Sequence, residues 1–346
     1  MDSLTHVCLG ACVGELLIHK QLGKKVLLWG IVAQNLPDID SMAALFLPAD
    51  RAFLIHRGIT HSLFFAIAAG LLLAWLARRV HYKTRLSFAA LAFFFCFQLL
   101  LHDLLDVCNS YGTGLLEPFS NQRFSVNLLY VADPFFTVAL LIAAILLIFK
   151  GAGNKQRSKW AWSGIVVSAL YLCFSLVNKV IVDKKVEESF AANHLRPSKY
   201  FTTPAPFNNM LWYVVADGRD VYYTGYRSIW DDRTKPVDFE VHDKNRNLLQ
   251  QIKNYPTVKN MVEFANEYYT LSLINNKPYL NVFRFEQVQG WQTKNAPFAF
   301  SYPLLSGDSD AGVLQKGRLA GWNKHTVKLY IERIAGEPVN SKSTTK

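Results

Sequence analysis

The chain is 346 residues long, 51% hydrophobic, and carries a formal net charge of +11. Much of the excess positive charge lies in short loops between apolar runs, where it orients a membrane protein, so it argues against nucleic acid as a partner. The five cysteines form no CxxC pair, which leaves neither a disulfide framework nor a cysteine zinc site.

The composition shifts at roughly position 183, and the length accommodates two domains. Leu9-Gly10-Ala11-Cys12 resembles a lipoprotein cleavage box, but the chain opens Met1-Asp2 and His6 interrupts the apolar stretch. The segment is therefore read as retained. Leu4–Ile18 and Val26–Leu36 are short for spans and are expected as half-buried helices packed on the others. Ser62–Ala77, Leu86–Leu105, Pro134–Phe149 and Trp160–Val182 are read as spanning helices. The fold class is thus an α-helical polytopic membrane domain of about 4–6 helices over 1–182, followed by a mainly β (α+β) extracytoplasmic domain.

Three loops are basic: Lys20, Lys24 and Lys25; then Arg78, Arg79, Lys83 and Arg85; then Lys150, Lys155, Arg157 and Lys159. Placed in the cytoplasm by the positive-inside rule, they put the N-terminus and the C-terminal domain outside. Beyond the last span, 183–207 reads as a short amphipathic helix and a linker containing Pro197, Pro204 and Pro206. Over 208–335 strand-like runs alternate with turns. Leu211–Ala216 and Val221–Tyr226 form one expected hairpin, Tyr268–Ile274 and Tyr279–Phe285 another, and Thr326–Arg333 a last strand. Gly336–Lys346 is expected as a disordered tail.

Eight good metal ligands lie in the first 133 positions, on otherwise apolar segments: His6, Asp38, Asp40, His56, His61, His102, Asp106 and Asp133. Ionisable groups inside a membrane are costly and are usually retained for a function. The orientation rule, applied without reference to them, gathers all eight at the outer face. His102 and Asp106 stand four apart on a helix and share one face, and Asp103 is available to orient a ligand from behind. A turn at Gly58 brings His56 and His61 toward one site. Asp38 and Asp40, two apart after the helix-ending Pro37, point the same way if extended. Thr60 or Ser62 caps the next helix, while Asp40 and Asp133 have competing roles as caps. Such a set suits a divalent ion, zinc or manganese, one or two of them. The ligands read from the sequence are His6, Asp38, His56, His61, His102 and Asp106. Asp40 or Asp133 would bridge metals or act as general base, and Arg57 would hold an anionic group through its planar fork.

Thr5-His6 with Gly10, Leu36-Pro37-Asp38-Ile39-Asp40, His56-Arg57-Gly58-Ile59-Thr60-His61-Ser62 and His102-Asp103-Leu104-Leu105-Asp106 together resemble the YdjM-like family of membrane-bound metal-dependent hydrolases. Tyr111-Gly112-Thr113, Pro118-Phe119 and Asp133-Pro134 extend the likeness, which covers about residues 1–180. The resemblance implies a bacterial inner membrane location and metal-dependent hydrolysis. The order of histidines and aspartates is also similar to zinc-dependent phospholipase C, although no later His-x-x-x-Glu pair is present. The expected substrate is an amphiphilic ester or phosphoester, such as a membrane lipid. The rival readings are a metal-handling or transport protein, and a membrane-anchored binding protein acting through its C-terminal domain.

Overall fold

A computed structural model of the chain describes residues 1–84, 86–251, 255–304, 314–315 and 319–337. They fall into two compact units, one of Met1–Phe46 and Ile55–Phe174, the other of Leu47–Leu54 and Ser175–Lys346.

In the first unit, side-chain caps start the helices where polar sequence gives way to apolar. Asp2 accepts the Thr5 N–H at the start of α1 (Ser3–Leu22). After α2 (Lys25–Asn35), and past α3 (Ala49–Ile55), which lies almost wholly in the second unit, Ser62 does the same for Phe65 in α4 (Leu63–Val80). Ser87 caps α5 (Phe88–Val107), and Asp133 caps α6 (Pro134–Phe149), whose leading proline has no N–H to satisfy. The helices α4, α5 and α7 (Arg157–Ala192) are long and apolar enough to cross a membrane, and α6 is a shorter apolar helix. Large apolar side chains such as Ile67, Leu72, Phe93, Ile142 and Leu170 are exposed on them, as lipid-facing surfaces require.

The segments read as half-buried are α1 and α2, and α1 lies deep, with Cys8, Ala11 and Cys12 at most 1% exposed. The two helices touch backbone to backbone. A Cβ on Gly30 would stand 2.1 Å from the Gly10 carbonyl oxygen, and one on Gly10 2.4 Å from that of Gly30. We expect Gly30→Leu to separate them and lower the thermal midpoint of the detergent-solubilised protein sharply. Gly151→Ala, with nothing within 4 Å, should leave it unchanged.

At the far end of α1, Glu15 takes the Arg157 guanidinium in two bonds of 2.8 and 2.6 Å. Arg157 Nη1 donates to the Leu147 and Lys150 carbonyls at 2.7 and 2.8 Å, closing the end of α6. Arg157, counted in the sequence among the loop cations, is therefore a buried structural charge.

Among its described residues the second unit forms two antiparallel four-stranded sheets. The first runs β1 (Lys199–Pro204), β2 (Leu211–Asp217), β3 (Val221–Ser228), β4 (Glu240–Asp243) in that order. The second runs β5 (Tyr269–Ile274), β6 (Lys277–Val282), β7 (Phe300–Pro303), β8 (Leu314–Gln315). The expected helical part followed by a β-rich part is thus what the chain forms. Strand β2 is buried on both faces. Trp212, Val214 and Ala216 pack with Val182, Val186 and Phe190 of α7, whereas Tyr213 and Val215 pack with Tyr222, Tyr268 and Phe283.

Several expectations need correction. The proline-containing linker holds strand β1, which the prolines permit because it is an edge strand with Pro204 at its end. The turn between β5 and β6 is Asn275-Asn276 alone, both at positive φ, as a two-residue hairpin demands. Thr326–Arg333 is not a strand but most of α9 (Lys324–Ile334), started by Asn323, whose side chain accepts the Thr326 N–H. The segment Leu47–Leu54, read with the helical part, belongs to the second unit. There Phe53 stacks on Phe264 of α8 (Tyr255–Phe264), and Asp50 accepts from Asn260 at 2.8 Å. The predicted tail lies, from residue 338 on, outside the described residues.

Candidate metal centre

Asp38, His61, His102 and Asp106 each bring one ligand atom within 4.8 Å of the others. His102 and Asp106 come from one face of α5. Asp38 comes from the 3-10 turn over Pro37–Leu45, and His61 from the short 3-10 turn Ile59–His61. His6 of α1 joins them, with Nε2 at 3.4 Å from Asp106 Oδ1 and its ring stacked 3.9 Å from that of His102. The Met1 amino group also lies against Asp106 Oδ1.

The protonation of the histidines can be deduced from their far sides. His102 Nδ1 donates to the Gln34 carbonyl at 2.6 Å, since a carbonyl only accepts. His61 Nδ1 lies 3.3 Å from Asp40 Oδ2 and 3.1 Å from Thr60 Oγ1. In the neutral tautomer with its proton on Nδ1, each ring turns an unprotonated Nε2 inward. His61 Nε2 stands 3.4 Å from Asp38 Oδ1 and 3.6 Å from Asp106 Oδ2, and His102 Nε2 stands 3.8 Å from Asp38 Oδ1. Acceptors thus face acceptors. Among the described residues, His61 Nε2 and His102 Nε2 are buried without a hydrogen-bond partner, and Asp106 Oδ2 has only its ion pair with Arg57; inward-facing imidazole acceptors cost free energy unless a cation lies among them. Nitrogen and carboxylate donors converging in this way fit a borderline divalent ion.

Asp38 and Asp40 do not point the same way, because the 3-10 turn rotates residues two apart to different sides. Asp40 instead organises the 56–61 loop. It accepts from His56 Nδ1 at 2.8 Å, the Arg57 N–H at 3.0 Å and Thr60 Oγ1 at 2.5 Å. It therefore acts neither as cap of the following turn nor as a free base. Burial alone would raise both carboxyls. With the imidazoles protonated, hydrogen bonding and charge from His61 and His102 would hold Asp38 below the ordinary range, and those from His56 and His61 would hold Asp40 well below it.

His56 reaches Asp40 but is not one of the four converging ligands; its side chain is 34% exposed, at the edge of the centre. Arg57 is buried and adopts a left-handed φ of 66°, a strained conformation held by what surrounds it. Its carbonyl accepts from Gly114 N and Arg123 Nη1, its Nη1 donates to Asn109 Oδ1 at 2.6 Å, and its Nε lies 3.2 Å from Asp106 Oδ2. Burial lowers its pKa to about 10, so it stays cationic at neutral pH. Asp133 is occupied elsewhere: it caps α6 and accepts from Tyr171 at 2.9 Å. Neither oxygen of the buried Asp103 reaches a hydrogen-bond partner among the described residues, so it orients no ligand by a direct bond. Sequence reasoning missed Gln34, whose only signal is a polar amide on an apolar helix.

A sequence model of the YdjM inner membrane protein family matches residues 1–182. Inner membrane protein YbcI of Escherichia coli K12 is 35% identical over 123 residues, 35% of this chain and 69% of that protein. The uncharacterized protein YfhP of Bacillus subtilis 168 is 27% identical over 199 residues, 54% of this chain and 58% of that protein. No solved structure matches. With the family match spanning more than half its length and covering every residue of the centre, the chain belongs to the YdjM inner membrane protein family.

Proposed function

We propose that this protein is a membrane-bound metal-dependent hydrolase of esters or phosphoesters, and that its substrate is a lipid or lipid-linked molecule. The observation that carries the proposal is the buried convergence of unprotonated imidazole nitrogens and carboxylates. His6, Asp38, His61, His102 and Asp106 would hold the ion, most naturally zinc, with Asp40 orienting His61 from behind. A divalent ion in such a site supplies Lewis acidity and makes water acidic enough to yield hydroxide near neutral pH. His56 is better placed for proton transfer than for ligation. Asp40 accepts from its Nδ1, leaving Nε2 as the proton acceptor at the exposed edge. Arg57 supplies fixed positive charge beside Asp106 for an anionic substrate group.

The lipid assignment draws on exposed apolar side chains. Ile39, Met42 and Leu45 on the turn that carries Asp38, and Phe46 after it, have exposed side chains, and so does Phe119, which meets the exposed Phe64 of α4 edge-on at 6.4 Å. Exposed apolar side chains on the turn that carries Asp38 suit an amphiphile. The remaining loop cations support a multi-pass orientation with the centre and the C-terminal unit outside the cytoplasm.

The test is hydrolysis by the full-length protein in lipid nanodiscs, using phospholipids and long-chain phosphate monoesters as substrates. Turnover should disappear on chelation and return with zinc or manganese. Metal-loaded protein that turns over no ester or phosphoester would overturn the proposal.

A further inference from the structure

Gln34 lies on α2 with its side chain fully buried, and it meets the metal centre twice. Its Oε1 is 3.2 Å from His6 Nδ1, and its main-chain carbonyl accepts from His102 Nδ1 at 2.6 Å. The amide is held from behind. Gln34 Nε2 donates to the Gln98 carbonyl at 2.8 Å and to Gln98 Oε1 at 3.1 Å. Gln98 Nε2 in turn donates to the Gly10 carbonyl at 3.1 Å. Because a carbonyl only accepts, the Gln34 NH2 must face Gln98 and its oxygen must face His6. His6 Nδ1 is therefore the protonated nitrogen, and Nε2 is turned toward Asp106. The relay starts on the α1 backbone at Gly10, crosses α5 and α2, and returns to α1 at His6. The close approach of Gly10 and Gly30 gives it the short span it needs.

We propose that Gln34 is a positioning residue of the metal centre: its side chain and its carbonyl hold His6 and His102 in the one protonation pattern in which both offer Nε2 to an ion. This rests on the metal-binding reading above. Without the Gln34 oxygen, nothing assigns the His6 proton to Nδ1, and the ring is free to turn a protonated nitrogen inward.

The experiment measures zinc affinity of the full-length protein in nanodiscs by competition with a chromophoric chelator, across a range of pH. Gln34→Met keeps volume but removes the acceptor. It should weaken zinc binding about 10–100-fold and raise the pH at which half of the zinc is lost. Gln34→Glu in its protonated form keeps an acceptor opposite His6 and a donor to the Gln98 carbonyl, and should hold zinc nearly as wild type does. Gln98→Met leaves the Gln98 carbonyl in place, so it should cost folding stability like Gln34→Met yet change zinc affinity much less. Wild-type affinity in Gln34→Met, or equal losses in the Met and Glu variants, would overturn the proposal while leaving the metal centre standing. A wild-type protein that binds neither zinc nor manganese would overturn both. Should Gln34→Met not accumulate as folded protein, Gln34→Glu decides: zinc retained supports the assignment, zinc lost overturns it.

Discussion

Alanine at His102 or at Asp106 is expected to abolish stoichiometric metal binding. Losing a residue that merely orients a ligand costs about 10–100-fold in affinity, and these two supply donor atoms directly. Asp106 is the more severe site. Its Oδ1 faces His6 and its Oδ2 faces His61 and Arg57, so its removal leaves a buried guanidinium beside a set of imidazoles. Elemental analysis of the purified variants provides the check. Full metal content in either would remove both from the ligand set. The control is Asp133→Asn, which should keep its metal, because Asp133 caps α6 and an asparagine caps nearly as well. Acid should release the ion from the wild-type protein too, since imidazoles bind metal only when neutral and carboxylates only when ionised.

Arg157→Leu should destabilise the first unit by about 3–5 kcal/mol, because it leaves the buried Glu15 carboxyl without its guanidinium partner, with His19 Nδ1 at 3.1 Å beside it. The two carbonyls at the end of α6 lose their donor at the same time. Glu15→Leu alone strands the guanidinium and should cost a similar amount. The double variant should recover much of the loss, since well-packed apolar residues often replace a buried pair at little cost. Unfolding in mixed micelles by a denaturing detergent measures all three. Single variants as stable as the wild type would show that the pair contributes nothing. Neither change touches a ligand, so metal content per folded molecule should hold.

Much of the centre could be read directly from residue order. The spacing of His102 and Asp106 translates into one helix face, and the orientation rule places His6, Asp38 and His61 at the same end of the bundle. Finer placement could not be read. Asp38 and Asp40 diverge because the chain after Pro37 winds as a 3-10 turn rather than extending, and only the fold decides between those. Likewise His56 and His61 both meet Asp40, yet just one turns inward. Gln34 and Gln98 carry no motif; their importance lies in which atoms they face. In the second unit, Thr326–Arg333 is rich in residues that favour strands. An asparagine cap and the packing of Leu329, Tyr330 and Ile334 with Trp291 and Trp322 override that preference. The membership of Leu47–Leu54 in the second unit depends on Phe53 finding two aromatic rings remote in sequence.

The exposure of Met42, Leu45 and Phe46 at the end of the Asp38 turn, and of Phe119, has a practical corollary. If the proposed lipid substrate reaches the centre over those side chains, surfactant monomers coating them once bilayer is stripped away would compete with it. Catalysis followed in micelles should then fall as surfactant is added at constant substrate, a dilution in two dimensions rather than three.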